Sequence, residues 1–372
     1  MTSQPSLQTV PETRFDPWII EIARRVAPDA LVCAVTPLAA DTVATDETSK
    51  AAGYGAPMRI DVQSRGALRS FVLHTALSNA FGHDRRSDRA AEMLLASDTC
   101  VQVPKLVKVL EVGAYRTDGK TVSLCDTGEF YTLTEYVEGT RYADDLRRIA
   151  MAGASTPVDL GRMTELAVYL AELHALPGGE PSVYTRAIRD LLGSGEGIFG
   201  IVDGYPVDAP GASPERLARI ERSCLEWRWK LKRRADRLTR THGDFHPFNV
   251  LFSKSSELVL LDGSRGCAGD PADDVSCMAI NYLFFALGHP GAWQGALRAL
   301  WLGFWETYAS RRPDPDLLSV CAPFLAWRGL VLANPVWYPD VFAEDRDRLL
   351  GFVEQALAVE LFVPSSADAI FA

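Results

Sequence analysis

The sequence has few of the features that mark secreted, membrane-spanning or nucleic-acid-gripping chains. It holds 7 cysteines in 372 residues, an odd number. No two form a C-x-x-C pair, so neither a zinc ribbon nor a thioredoxin-type site is expected, and they read as reduced thiols. The longest apolar stretch, near residues 279–287, is far short of the roughly 20 residues a membrane helix needs. The opening MTSQPSLQTVPETRFDP lacks the apolar segment of a secretory signal. Basic residues are outnumbered, 38 Lys and Arg against 48 Asp and Glu, for a net charge of −10. That balance argues against gripping nucleic acid or an anionic membrane. No fixed-period repeat or low-complexity block appears. A cytoplasmic protein with neither nucleic acid nor membrane as partner is expected.

What is present is an ordinary globular balance, 47% hydrophobic and 23% charged, in a chain long enough for two lobes. Asp16-Pro17 opens a short helix after a loose arm, and together these make a segment 1–30. From 31 to 137 the pattern is β-rich. LVCAVTPLA, MRIDVQ, SFVLHTA, KLVKVLEVGAYR and FYTLTEYV are dense in β-branched and aromatic residues, with one helix at about 85–96 between them. From 138 to 372 the chain is mainly helical. LGRMTELAVYLAELHAL repeats apolar residues at helical spacing, and PERLARIERSCLEWRWKLKRRADRL reads as a basic amphipathic helix with a solvated face. Residues 179–213, rich in Gly and Pro, are expected to be irregular. Trp227, Trp229, Trp293, Trp301, Trp305 and Trp327 are expected in the core. The fold class is α+β, with a small antiparallel β-sheet N-lobe and a larger helical C-lobe joined near 135–139.

The stretch most loaded with chemistry is THGDFHPFNVLF at 241–252, which contains H-x-D-x-x-x-x-N. Asp262 follows Asn249 by 13 residues, at the end of the strand LVLLD. A hairpin would project Asp244, Asn249 and Asp262 into one cleft. Phosphoryl transfer needs a carboxylate to orient the attacking hydroxyl and accept its proton, and oxygen ligands for Mg²⁺. These three residues provide that set.

HGDFHPFNVLF, LVLLDG and GDPADDVS, with LAELHALP upstream, resemble the aminoglycoside phosphotransferase and choline kinase family, whose fold is protein-kinase-like. The resemblance implies a small-molecule kinase that moves the γ-phosphoryl group of ATP, or GTP, to a hydroxyl with Mg²⁺. It makes Asp244 the catalytic base and Asn249 and Asp262 the metal ligands, with His242 bracing the loop and Gly243 allowing its turn. It makes 130–139 the hinge, with backbone groups at Glu135, Tyr136 and Val137 on the nucleotide base. Glu92 becomes the partner of the phosphate-binding lysine, and Asp274 a helix cap or anchor. Gly53 and Gly55 fit a phosphate-covering loop or a plain turn.

The chain departs from the family at that lysine. The strand reads Phe71-Val72-Leu73-His74-Thr75, with His74 in its place. Imidazole is shorter and titrates near neutrality, and a charge pair at 4 Å is worth about 4 kcal/mol at an effective dielectric of 20. A protonated His74 could contact the phosphates, Arg59 on the neighbouring strand could substitute, or nucleotide binding could be weak. The last defines an alternative, a nucleotide-sensing or protein-binding pseudokinase. Arg265, close behind Asp262, is expected to meet a phosphate, an anionic substrate or a surface carboxylate. A zinc hydrolase built on His242, Asp244 and His246 is a further rival, and transfer of an adenylyl group a variant. The acceptor and the oligomeric state are left open by the sequence.

Overall fold

In the computed structural model, which describes residues 12–38 and 57–372, the alternation of Met58–Ser64 becomes a strand with Ile60, Val62 and Ser64 turned inward. That strand, β2, lies between β1 (Leu31–Pro37) and β3 (Ala67–Leu73) in an antiparallel sheet. The β2–β3 connection is the two-residue loop Arg65-Gly66, with φ of 51° and 77°. Positive φ at both positions gives the type I′ hairpin turn, whose twist matches that of the strands. Asp29 holds this corner, accepting from Ser64 Oγ and Arg65 N at 2.7 Å each. The amphipathic helix α1 (Pro17–Val26) covers the inner face, burying Ile19 and Ala23 against Val32, Ile60 and Val62. Asp16 precedes the helix without making a side-chain cap.

Helix α2 (Arg86–Thr99) follows, and then the hairpin of β4 (Gly113–Tyr115) and β5 (Thr121–Ser123). Tyr115 stacks on Trp18 of α1 at 4.8 Å. Most of the two late strands expected here, 105–116 and 130–137, is not strand: only 113–115 pairs, and 130–138 carries no regular structure. β-propensity reports how well a side chain fits a half-buried pleated surface. Here Tyr131, Leu133 and Tyr136 are at least 90% exposed, so the propensity meets no such surface.

The chain divides into two units, Met1–Thr134 and Glu135–Ala372. The second begins with β6 (Gly139–Arg141) and continues through α3 (Tyr142–Ala152), α4 (Pro157–Leu173), α5 (Pro181–Gly193), α6 (Ile198–Asp203) and α7 (Pro214–Leu231). Thr156 and Asp159 close a reciprocal capping box on α4, and Ser213 caps α7, each followed by proline at the first helical position. Helices α5 and α6 occupy the segment expected to be irregular. Pro181 starts α5 and Gly197 precedes α6, so proline and glycine mark helix ends here rather than loop.

Short strands β7 (Thr239–Arg240), β8 (Val250–Ser253), β9 (Leu258–Leu260) and β10 (Ala268–Gly269) pair as β6-β8-β9 and β7-β10. They are followed by α8 (Pro271–Leu287), α9 (Pro290–Ala292), a π turn at Trp293–Leu297, α10 (Arg298–Arg311), α11 (Leu317–Val320), α12 (Ala322–Ala333) and α13 (Ala343–Ala358). The core is centred on α8, whose residues from Asp274 to Leu283 are all buried, with Trp293, Trp301 and Phe304 beside it. Trp229 departs from expectation. It is 58% exposed, with the Lys232 ammonium 3.5 Å from its ring centre. Gly329 lets α12 lie on α13, since a Cβ there would meet Val353 Cγ2 at 2.4 Å. The α+β order of small antiparallel sheet and then larger helical unit is thus the one expected.

Candidate active site

The loop 241–249 connects β7 to β8, and its shape is dictated by backbone groups that need partners. His242 N and Gly243 N donate to the two carboxylate oxygens of Asp274 at 2.7 and 2.8 Å. Asp274 is fully buried in the first turn of α8, where the helix dipole favours negative charge. Burial pushes its carboxyl up, but His174, its charge and the two loop N–H groups prevail and hold it below the usual range. His174 Nε2 lies 3.1 Å from Asp274 Oδ2, and its Nδ1 lies 2.8 Å from the Tyr308 hydroxyl. The histidine of LAELHALP therefore acts on the loop through Asp274. The helix cap belongs to Asp270, which accepts from Ala272 N at 2.9 Å. Gly243 has φ 82°, and a Cβ there would also come within 3.3 Å of Gly266 O, so glycine is required.

His242 braces the loop with both ring nitrogens. Nε2 donates to Leu261 O at 3.0 Å and Nδ1 accepts from Asp244 N at 3.3 Å. His246 Nδ1 accepts from Phe248 N at 3.2 Å, which leaves Nε2–H directed at Asp244 Oδ2, 3.5 Å away. The rival zinc reading fails on this arrangement. Among the described residues no group of three or more His, Cys, Asp or Glu side chains is placed to hold a metal, and His242 is committed to backbone.

Asp244 is 7% exposed. Its Oδ1 accepts from Arg328 Nη1 at 2.6 Å. Its Oδ2 is bordered by Asn249 Nδ2 at 3.4 Å, His246 Nε2 at 3.5 Å and Arg265 Nε at 3.8 Å. Burial alone would raise its carboxyl. The hydrogen bond from His246 and the charges of Arg328 and Arg265 override that and hold it far below the usual carboxylate range. Arg328 also donates through Nη2 to Gly243 O and to Asp273 Oδ1, at 2.9 Å each. Its guanidinium lies 3.7 Å from the Trp327 ring centre, with that of Arg265 at 4.9 Å from the same ring. Trp327 in turn donates to Glu196 O at 2.7 Å.

Asn249 and Asp262 are brought together by the hairpin. Val250 pairs with Leu260, and Leu261 N donates to Asn249 O at 2.9 Å, so Asp262 is one residue beyond a direct contact with Asn249. The strand ends at Leu260, two residues earlier than expected. Asp262 takes φ 53° and is exposed, and among the described residues its side chain accepts only from Ser264 N, at 3.2 Å. Asp262 offers an exposed carboxylate and Asn249 an amide oxygen on paired stretches of backbone, and these are the hard-oxygen donor types that Mg²⁺ takes.

The nucleotide residues expected in the first unit are less assembled. His74 lies just past the end of β3 and is exposed. Glu92 does not pair with it. Glu92 Oε2 lies 3.0 Å from His83 Nε2 instead, because His83 is held by Asn79 Oδ1 in the segment leading into α2, within reach of its second turn. Arg59 is engaged by Asp61 at 2.8 Å and by Ser70 at 3.2 Å. Gly53 and Gly55 lie outside the described residues. Glu135, Tyr136 and Val137 belong to the second unit, in a segment without strand structure.

The sequence reading missed Arg328 as the partner of Asp244 and Trp327 as the ring against the Arg328 guanidinium. One signal was available. APFLAWRGLVLA is a helix with a single charge, and a charge buried in apolar surroundings needs a partner.

The model of the phosphotransferase enzyme family matches residues 69–313. No curated protein matches this sequence. Among solved structures, the chain is similar to a glucosamine kinase in complex with glucosamine, ADP and inorganic phosphate, with 16% identity, 57% of this chain and 59% of that one covered, and a TM-score of 0.42. An ethanolamine kinase of Plasmodium vivax follows at 12% identity, 84% and 81% coverage and a TM-score of 0.37. A choline kinase from Streptococcus pneumoniae has 13% identity, 91% and 98% coverage and a TM-score of 0.35. The chain thus spans 59% of the length of the glucosamine kinase it matches. Among the described residues no helix is long and apolar enough to cross a membrane.

Proposed function

Because the chain belongs to the phosphotransferase enzyme family, we propose that it transfers the γ-phosphoryl group of ATP, or of GTP, to a hydroxyl of a small molecule, with Mg²⁺ and with Asp244 as the base. The observation that carries this reading is the state of Asp244. Its Oδ1 is fixed by Arg328 while Oδ2 borders Asn249, His246 and Arg265. Oδ2 would then receive the acceptor hydroxyl. As the new O–P bond forms and the bond to the nucleotide's leaving oxygen breaks, the hydroxyl proton passes to Oδ2. A carboxylate held this acidic takes no proton from a resting alcohol. It orients the hydroxyl and accepts the proton late, as the loose transition state of phosphoryl transfer requires.

Asn249 Oδ1 and the Asp262 carboxylate would hold the metal. Mg²⁺ bound there would neutralise charge on the phosphates. His242 and Asp274 keep the loop in register, His242 by clamping Leu261, the residue before Asp262, to the loop. Glu135, Tyr136 and Val137 would offer backbone groups to the base. His74, with Arg59 as substitute and Glu92 nearby in sequence, would serve the phosphates under a loop containing Gly53 and Gly55.

One observation favours a second reading, a nucleotide-sensing or protein-binding pseudokinase: Glu92 pairs with His83 and leaves His74 exposed. A melt with Mg²⁺ and ATP or GTP, followed by turnover of Asp244→Ala, separates the two. The first reading expects a Mg²⁺-dependent rise in Tm and a loss of turnover of about a hundredfold to ten-thousandfold in the variant. A Tm rise without turnover in the parent protein favours the second.

A further inference from the structure

Two guanidinium groups lie against the Asp244 carboxylate, and among the described residues each keeps a buried donor without a partner. Arg328 and Arg265 both reach Asp244, at 2.6 and 3.8 Å, and His246 lies at 3.5 Å. The opposing carboxylates are Asp273, committed to Arg328 at 2.9 Å, and Glu196, which lies 3.3 Å from Arg265 Nε. We infer that Arg265 receives an oxyanion of the acceptor, so that the substrate is an anionic hydroxy compound, carrying a carboxylate or a phosphate, rather than an amine. The inference rests on the phosphotransfer reading above and names the acceptor class for it.

Three features single out Arg265. Among the described residues its Nη1, like Nε of Arg328, is buried without a hydrogen-bond partner, but the Arg265 side chain is 23% exposed where that of Arg328 is 6%; an unmet buried donor on a charged group is costly and rare in a native fold. Its main partner is replaceable, since the Glu196 side chain is 70% exposed and an ion pair at that exposure contributes little. Its contact with Trp327, 4.9 Å from the ring centre, spends no N–H group, and the two carboxylates near it, Glu196 and Asp244, both lie nearest Nε, which keeps the Nη groups for a carboxylate or phosphate. Arg328, directly bonded to Asp244, already neutralises the base, so Arg265 is not needed for that. An ammonium group placed close to the reacting hydroxyl would face two guanidinium groups.

The test has two arms on the full chain. In the first, arginine Nε–Hε resonances are followed while inorganic phosphate or D-glycerate is added, with the Arg265 signal identified by its loss in Arg265→Met. A saturable shift of that signal at millimolar anion supports the inference, and no shift with either anion overturns it. In the second, turnover with Mg²⁺ and ATP is compared across matched acceptors: glycerol, D-glycerate, glycerol 3-phosphate and 3-amino-1,2-propanediol, then a hexose, its hexonate, its 6-phosphate and its hexosamine. The anionic members should lead in kcat/KM. Arg265→Met should cost them about tenfold to a hundredfold more than it costs the neutral members, with Arg265→Lys, which keeps the charge and loses the fork, between the two. Equal losses in kcat for every acceptor would place Arg265 on the transferring phosphoryl group and overturn the inference, as would preference for the amine. An intact Arg265 shift with no turnover of any acceptor would overturn the phosphotransfer reading while leaving the oxyanion site standing.

Discussion

Two arginines of the second unit are buried between pairs of aspartates, and they use their donors differently. Arg237 donates Nε and Nη2 to the two oxygens of Asp270 at 2.8 and 2.9 Å, and Nη1 and Nη2 to the two oxygens of Asp314 at 2.9 and 3.0 Å. Tyr184 completes Asp270 at 2.8 Å. That network is closed. Arg328 joins Asp244, Asp273 and a backbone carbonyl but, among the described residues, leaves Nε buried without a partner, and its neighbour Arg265 leaves Nη1 in the same state. The first arrangement ties the start of α8 to the chain around β7 and α11. The second surrounds the one carboxylate oxygen proposed to meet a substrate. Buried charge is compensated in both places, and only the second keeps unfilled donors.

Breaking each arginine should separate the two roles. Arg237→Met leaves two buried carboxylates facing each other and should cost about 3–5 kcal/mol of stability, read as a lowered urea midpoint, with turnover per folded molecule retained. Arg328→Met also leaves two carboxylates uncompensated and should cost stability, but it should in addition lower kcat per folded molecule by about a hundredfold through misplacement of Asp244. Equal stability losses with equal turnover in the two variants would erase the distinction.

The carboxylates also respond to pH in opposite senses. Burial pushes Asp314 up, but the hydrogen bonds and charge of Arg237 hold it below its ordinary value. Its contribution to stability is therefore present above the ordinary carboxylate value and is lost as pH falls through the lower folded value. Burial, opposed by Arg328 and assisted by the charge of Asp274, pushes Asp273 up to about 6. The folded protein there keeps a proton that the unfolded chain has released, so stability declines as pH rises from the ordinary carboxylate value through about 6. Urea unfolding across this range should show Asp314→Asn flattening the acid-side loss and Asp273→Asn flattening the decline toward neutrality. An unchanged slope in either variant would remove that carboxylate from the account. The smallest effect belongs to Glu196→Gln, which removes the exposed partner of Arg265 and should change stability by no more than about 1 kcal/mol by the same unfolding measurement.

The parts of the site that are contiguous in sequence were readable. H-x-D-x-x-x-x-N and the following LVLLD carry their spacing openly, and the hairpin that aligns Asn249 with Leu261 follows from two short apolar runs. The parts assembled over distance were not. Arg328 reaches Asp244 across 84 residues, and nothing local to either predicts the pair. Asp274 was expected as a cap or anchor; it anchors, but its object is the backbone of the loop 31 and 32 residues before it. Composition misled at 179–213, where prolines and glycines bound helices rather than replace them. Propensity misled at 130–137, where aromatic and branched residues form no ladder.

The fixed oxygen of Asp244 has a bearing on product identity. With Oδ1 occupied by Arg328, the proposed base has one oxygen left for a hydroxyl, and that oxygen is flanked on several sides. A two-faced carboxylate could admit neighbouring hydroxyls of a polyol in turn. A one-faced carboxylate, with the acceptor's charged end tethered nearby, selects by distance. Under the proposed reading the enzyme would be regiospecific, giving a single monophosphate isomer even from an acceptor with several chemically equivalent alcohols.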